Sequence, residues 1–172
     1  FNNFTELEKG NEILNTKKIF RIVKRLALQI FEKNQNQDEI FLIGIDKNGY
    51  KLSKLICKEL QDICEIKIHS CCLKINKTNP LKTVDFDTDI SKIKNKSIVL
   101  IDDVLNSGKT LMYSAKFLLD TPTSNFNTAV LIDRNHKKYP IKVDFKGISL
   151  STSIDENVNV IFENNNIRAV IK

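Results

Sequence analysis

The sequence predicts one α/β domain built on a mainly parallel, twisted sheet flanked by helices. Three observations predict it. Apolar runs at residues 39–45, 98–101 and 126–132 show little polar alternation, the pattern of strands buried on both faces. Residues 15–33 repeat apolar side chains at helical spacing instead. An acidic, Gly-containing turn at 102–110 follows one of the strands, and ligands of open α/β sheets bind at the carboxyl ends of their strands. A chain of 172 residues fits a single domain that buries roughly two thirds of its unfolded surface, and neither an internal repeat nor a low-complexity linker divides residues 1–172.

Taken in order, Ile19, Ile22, Val23, Leu26, Ala27, Ile30 and Phe31 form the apolar stripe of the first helix, with Lys and Arg on its other face. Residues 39–45 follow as a strand, and 50–61 as a helix after Gly49. Residues 65–73 read as a strand. The stretch 75–88, with Asn76, Asn79 and Pro80, reads as a polar loop or long hairpin of the length that often covers an active site. Strand 98–101 and helix 107–119 come next, then short β-rich runs at 126–132, 143–150 and 158–162. This order predicts a parallel sheet joined by right-handed crossovers.

Net charge is +6, a balance that favours anionic partners; phosphorylated substrates and RNA both qualify. The 27 basic residues include only the arginines Arg21, Arg25, Arg134 and Arg168, which weighs against reading bases through guanidinium forks. The stripe Lys17, Lys18, Arg21, Lys24 and Arg25, with Lys137 and Lys142, would give phosphate affinity without sequence readout. There is no apolar run long enough to span a membrane, and residues 1–9 lack a signal-peptide pattern, so a cytoplasmic protein without membrane contact is expected. Cys57, Cys64, Cys71 and Cys72 have no zinc-site spacing and are expected to be reduced, small apolar residues.

The most specific stretch is Ile98-Val-Leu-Ile-Asp-Asp-Val-Leu-Asn-Ser-Gly-Lys-Thr-Leu111. Its order of residue types describes a sugar phosphate held at a strand end. Asp102 and Asp103 can accept hydrogen bonds from vicinal hydroxyls or hold a hydrated cation. Ser107, Gly108, Lys109 and Thr110 place free amides and hydroxyls at a helix N-terminus, which binds phosphate through orphan donors and the macrodipole. A P-loop is excluded by spacing, because the Gly it requires five positions before Gly108 is Asp103 here. A second short loop bounded by Gly44 and Gly49 offers further amides where another phosphate could sit, although a plain turn would also use those glycines.

This signature resembles that of the type I phosphoribosyltransferases, and residues 129–147, through Asp133, Arg134, His136, Pro140, Ile141 and Gly147, resemble the pyrimidine-operon attenuation regulators (PyrR). Members of that group are bifunctional uracil phosphoribosyltransferases and RNA-binding proteins. The resemblance implies a type I phosphoribosyltransferase fold with a small hood, about 133–157, and a flexible lid, about 74–88. It implies that Asp102 and Asp103 meet the ribose hydroxyls and help order Mg²⁺, that Asn106, Ser107, Gly108, Lys109 and Thr110 take the 5′-phosphate, and that Asp46, Lys47, Asn48 and Gly49 take pyrophosphate. Asp133, Arg134, His136 and Thr152 would belong to the hood over the base. It further implies phosphoribosyl pyrophosphate with a nucleobase or nucleotide as ligands and at least a homodimer. RNA as a further partner is only weakly supported, because the Thr, His and Lys that serve RNA in that group are matched here by Lys24, Leu28 and Ile148.

Two departures qualify the expected activity, that of a pentosyltransferase joining ribose 5-phosphate to uracil. The family has an arginine at Asn48 in the pyrophosphate loop and another in the lid at Ile75; Lys47, Lys74 and Lys77 are the nearby cations. Cations near a leaving pyrophosphate stabilise an oxocarbenium-like transition state, so their loss leaves a nucleotide-binding regulator on the same fold as the alternative reading. Purine transfer is disfavoured, because hypoxanthine and guanine phosphoribosyltransferases carry Asp where Asn106 stands.

Overall fold

The computed structural model describes residues 10–172 except Ile154 and Asn165; residues 1–9, including the stretch read for a signal peptide, lie outside the described residues. Six strands form the main sheet in the order β4-β3-β2-β5-β6-β7, where β2 is Glu39–Ile45, β3 Lys67–Ile75, β4 Val84–Phe86, β5 Ser97–Leu105, β6 Asn125–Asp133 and β7 Phe145–Ser149. All neighbours run parallel except β4, which returns antiparallel beside β3. Helices α1, Thr16–Asn34, and α2, Asp46–Ile63, share one core with Val99, Ile101 and Leu131, while α3, Lys109–Leu119, packs on the other side with Ile98, Leu100 and Val130. Successive residues of β5 point to opposite faces, so a strand covered on both sides has no polar alternation to show.

Each helix begins for a local reason. Asn15 caps α1, its side chain accepting from the Lys18 N–H at 3.0 Å, and the stripe Ile19, Val23, Leu26 and Ile30 is fully buried. Burying side chains of that size contributes roughly 1.5–3 kcal/mol each. For α2 the boundary differs from the expected one. Asp46, Lys47, Asn48 and Gly49 are its first turn and not a separate loop, with Asp46 in the left-handed region at φ 52°. The glycines explain this: a Cβ on Gly44 would lie 2.4 Å from Tyr50 Cα, so their absence lets the helix start directly on the strand end.

A second sheet, not anticipated from sequence except for the run at 158–162, is made from both ends of the described chain. It joins β1, Asn11–Leu14, β9, Asn166–Ile171, and β8, Val158–Glu163, in the antiparallel order β1-β9-β8. Thr16 at the start of α1 fixes it: its Oγ1 donates to Ile167 O at 2.9 Å and accepts from Ile167 N–H at 3.0 Å. This sheet lies outside residues 133–157, the stretch expected to form the hood, which runs through β7 and its flanking loops. The expected polar stretch 75–88 is a hairpin, with Leu73, Lys74 and Ile75 paired to Phe86, Asp85 and Val84. Strand β3 therefore runs two residues further than read, and Ile75 is buried in the core.

At the opposite end of the sheet from its carboxyl edge, Glu39 accepts from His69 Nε2 at 2.8 Å and pairs with Lys96 at 2.5 Å. Hydrogen bonds from Lys96 and then His69 lower the Glu39 pKa from 4.5 to about 2. A carboxyl with a depressed folded pKa contributes stability that is complete above 4.5 and is lost as pH falls through about 2. The urea midpoint of the wild type is expected to fall more steeply between these limits than that of Glu39→Gln. Parallel profiles would show that this cluster has no part in acid lability.

Candidate active site at the carboxyl edge of the sheet

Strand β5 carries Asp102 and Asp103 past the edge of the sheet, and the chain turns at Gly108 into α3. Gly108 has φ 84°, and a Cβ there would come within 2.8 Å of Ile141 Cγ2. Ser107 O holds the turn, accepting from Lys138 N–H at 2.8 Å and Tyr139 N–H at 3.1 Å. Gly108 offers α3 no side-chain cap, and Ser107 Oγ accepts only from the Lys109 N–H, at 3.3 Å, which leaves the following first-turn amides for a ligand in the cleft. A cavity of about 250 Å³ is lined there by residues 102–111, together with Asn48, Lys77 and residues 158–160 of β8.

A second cavity of about 720 Å³ shares Asn48, Lys77, Asp102 and Asp103 with the first, so the two form one cleft. Asp46, Lys47 and Lys74 line it, along with Tyr50, Cys72, Asp85 and Asp87, which the sequence did not place at a site. Gly49 sits behind: a Cβ there would lie 2.6 Å from Ile101 O and 3.2 Å from Asp102 Cα. Gly49→Ala must push α2 away from β5, and a stability loss on the order of 1–3 kcal/mol is expected in a urea titration. An unchanged midpoint would mean that the strand and helix separate freely.

The carboxylates differ in surroundings. Asp102 is 8% exposed, its Oδ1 accepting from Asp103 N–H at 2.9 Å, while Asp103 Oδ1 accepts from Val104 N–H at 2.9 Å. Burial, and then the Asp103 charge, push the Asp102 carboxyl well above the usual carboxylate range, with Lys77 pulling the other way. Asn48 crosses the cleft: its Nδ2 donates to Asp103 Oδ2 at 2.8 Å and to Val160 O at 3.0 Å, joining α2, β5 and the second sheet. Where an arginine was expected by resemblance, this chain has a neutral bridge.

The lid supplies the cation. Lys77 Nζ lies 3.4 Å from Asp46 Oδ2. Burial lowers its pKa, but the charges of Asp102, Asp46 and Asp103 outweigh this and hold it above the ordinary lysine value. Asn76 Oδ1 folds the lid tip, accepting from Thr78 N–H and Asn79 N–H, and Lys109 Nζ of α3 donates to Thr78 O at 3.3 Å. Lys74 instead pairs with Asp85 within the hairpin at 3.0 Å.

The hood candidates are turned away from this cleft: Asp133, Arg134, His136 and Thr152 line neither cavity. Asp133 is buried and pairs with Lys137 at 3.3 Å and Lys146 at 3.7 Å. His136 Nε2 lies 2.6 Å from Thr152 O, and Arg134 donates to Thr152 Oγ1 and Asn106 Oδ1. None of the basic residues of α1 lines the cleft either, and Arg25 is spent on the fold, donating to Gly147 O at 2.5 Å.

With an acidic pair over a Gly-started helix in this geometry, comparison with known proteins becomes decisive. The phosphoribosyl transferase domain model matches residues 9–162. The chain belongs to that phosphoribosyltransferase family. It is 33% identical to the bifunctional protein PyrR of Caldicellulosiruptor bescii, covering 96% of this chain and 97% of that protein, and 34% identical to the PyrR of Acetivibrio thermocellus, covering 87% and 85%. Among solved structures, hypoxanthine phosphoribosyltransferase of Trypanosoma cruzi superposes with a TM-score of 0.77 at 15% identity over 93% of this chain and 95% of that one. A hypoxanthine-guanine phosphoribosyltransferase of Bacillus anthracis does so with a TM-score of 0.74 at 16% identity, covering 93% and 97%. These structural likenesses concern the fold. Among the described residues of this phosphoribosyltransferase, no group of three or more His, Cys, Asp or Glu is arranged as a metal cage, and no helix is long and apolar enough to cross a membrane.

Proposed function

We propose that the chain transfers the 5-phosphoribosyl group of phosphoribosyl pyrophosphate to uracil, releasing pyrophosphate. The observation that carries this reading is the single cleft in which Asp102 and Asp103 stand between the uncapped start of α3 and the Lys77 side of the larger cavity. In the proposal the 5′-phosphate lies on residues 106–110 and the ribose hydroxyls donate to Asp102 and Asp103. Pyrophosphate would lie towards the first turn of α2, where Asp46, Lys47 and Asn48 line the larger cavity and no side chain caps the helix start; Gly49, packed on β5 behind them, lets this turn sit at the strand end. Similarity to PyrR and the neutral Asn106 favour uracil over a purine.

The donor set fits Mg²⁺. A pair of carboxylates without a third protein ligand suits an ion that keeps several waters and binds substrate phosphates through one or two carboxylates. Such an ion would neutralise charge on the leaving group. The residues of this chain do the rest: Asp102 and Asp103 orient the ribose, Lys77 faces the leaving oxygens, and the lid hairpin excludes water that would hydrolyse an activated sugar.

A second reading, a nucleotide-binding regulator, is favoured by one observation: neither cavity is lined by an arginine. The deciding measurement is pyrophosphate release from phosphoribosyl pyrophosphate and Mg²⁺ with uracil, hypoxanthine, guanine and orotate offered separately. Release with uracil alone is the expected result. Binding of the substrate without turnover on any base would replace the enzyme by the regulator, and release with another base would move the specificity.

A further inference from the structure

Arg134 is 6% exposed, yet among the described residues no carboxylate lies within ion-pair distance of it. All its partners are neutral: Nε and Nη2 donate to Thr152 Oγ1 at 3.1 and 2.9 Å, Nη1 to Asn106 Oδ1 at 2.8 Å, and Nη2 also to Ser153 O and Glu156 O. The carboxylate of Glu156, in the same loop, feels the Arg134 charge but is turned to the Ser153 N–H at 2.7 Å and forms no ion pair with the guanidinium. Arg134 N–H donates to Leu105 O at 3.1 Å, which sets the side chain directly behind the 106–110 turn. Burying a guanidinium with hydrogen bonds but no paired counter-ion is unfavourable unless the charge is used.

We infer that Arg134 is a positioning residue for a phosphomonoester dianion bound on residues 106–110, and that this ligand is the counter-ion the buried guanidinium lacks. The inference rests on the phosphate cradle proposed above. It works in two ways. An amide whose Oδ1 is held by Arg134 turns its NH₂ to the other side, and Asn106 lines the cavity, so two donors face the cleft. The guanidinium also raises the potential at the turn from behind, where little water screens it.

The test is calorimetric titration of the full chain with ribose 5-phosphate, and separately with Mg²⁺ and pyrophosphate, at pH 5 and pH 7.5. The proteins compared are wild type, Arg134→Met, Arg134→Lys and Asn106→Ala. Arg134→Met is expected to weaken ribose 5-phosphate binding on the order of tenfold or more at pH 7.5 and to leave pyrophosphate unchanged; Arg134→Lys retains the charge and most of the affinity. Wild-type affinity is expected to rise from pH 5 to pH 7.5 as the monoester loses its second proton near pH 6, and this rise flattens in Arg134→Met. A residue that only held the fold would weaken both ligands together and leave the pH dependence intact, and that result overturns the inference. If Arg134→Met does not fold, the cycle of Arg134→Gln, which removes the charge but keeps amide donors for Thr152, with Asn106→Ala decides: non-additive losses support the coupling and additive ones refute it. A wild type that binds no ribose 5-phosphate removes the cradle reading itself, whereas equal binding by wild type and Arg134→Met removes only the role of Arg134.

Discussion

The double variant Asp102→Asn, Asp103→Asn is expected to lose base-dependent pyrophosphate release by about a thousandfold or more while unfolding at no lower urea concentration than wild type. Activity falls because amides accept the ribose hydroxyls less strongly and no longer offset positive charge developing on the ribose, nor hold a hydrated cation. Stability does not fall, because asparagine at 102 keeps an oxygen for the Asp103 N–H, and removing two like charges from a site where Asp102 is 8% exposed offsets the one acceptor lost at 103, whose oxygens now serve Val104 N–H and Asn48 Nδ2. The sign can be checked against pH in metal-free solution. Burial and Asp103 raise the folded pKa of Asp102 above its ordinary 3.8, so this group costs the native state stability increasingly as pH rises above 3.8. The advantage of the double variant should therefore be present at pH 7 and shrink below that value. Retained turnover would show that the acidic pair does not bind the reacting sugar; lost turnover with a lower midpoint would show that it is needed for folding.

Lys77→Met is expected to lower kcat about a hundredfold with little change in KM for phosphoribosyl pyrophosphate, and Lys77→Arg to recover most of that loss. Lys77 is the lid cation that faces Asp46, Asp102 and Asp103 and lines both parts of the cleft, whereas Lys74 lines only the larger part, where it is paired with Asp85, and Ile75 is buried. Its charge matters most when the leaving oxygens gain theirs, which places the effect on kcat. The lid remains tethered in the variant, since Lys109 reaches Thr78 O independently of the Lys77 side chain. A rise in KM at constant kcat would assign Lys77 to ground-state binding alone. Activity unaffected by either substitution would remove it from the reaction.

The helices and strands of the main sheet were legible because their causes are local. Ile98 to Ile101 are apolar without alternation, and the α1 stripe repeats at 3.6 residues, so each states its own burial. The exceptions have identifiable physical reasons. The α2 start was read as a loop because Gly44 and Gly49 look like turn residues; what they allow is close packing against Tyr50 and Ile101. Strands β1 and β9 were missed because Asn11–Leu14 is only a single short run and β9 carries Arg168 in an otherwise apolar stretch, although the Asn-rich turn at 164, with Asn164 at φ 46°, was a hairpin signal. The resemblance assigns Arg134 and His136 to the hood over the base; in the structure they line neither cavity and bond to Thr152, Arg134 also to Asn106.

By itself, then, the sequence determined which runs form the central strands, the acidic pair at the end of β5 and the phosphate-type turn after it, because each depends on residues within a dozen positions. Tertiary structure alone decided how the cleft is closed. Asn48 meets Val160 across 112 positions, and Thr16 reaches Asn166 across 150. Lys77 finds its carboxylates only when the lid hairpin folds over α2, and Arg134 reaches Asn106 only when β6 lies beside β5. Such pairings rest on strand register and close backbone approach, and neither leaves a periodic trace in the residues that make them.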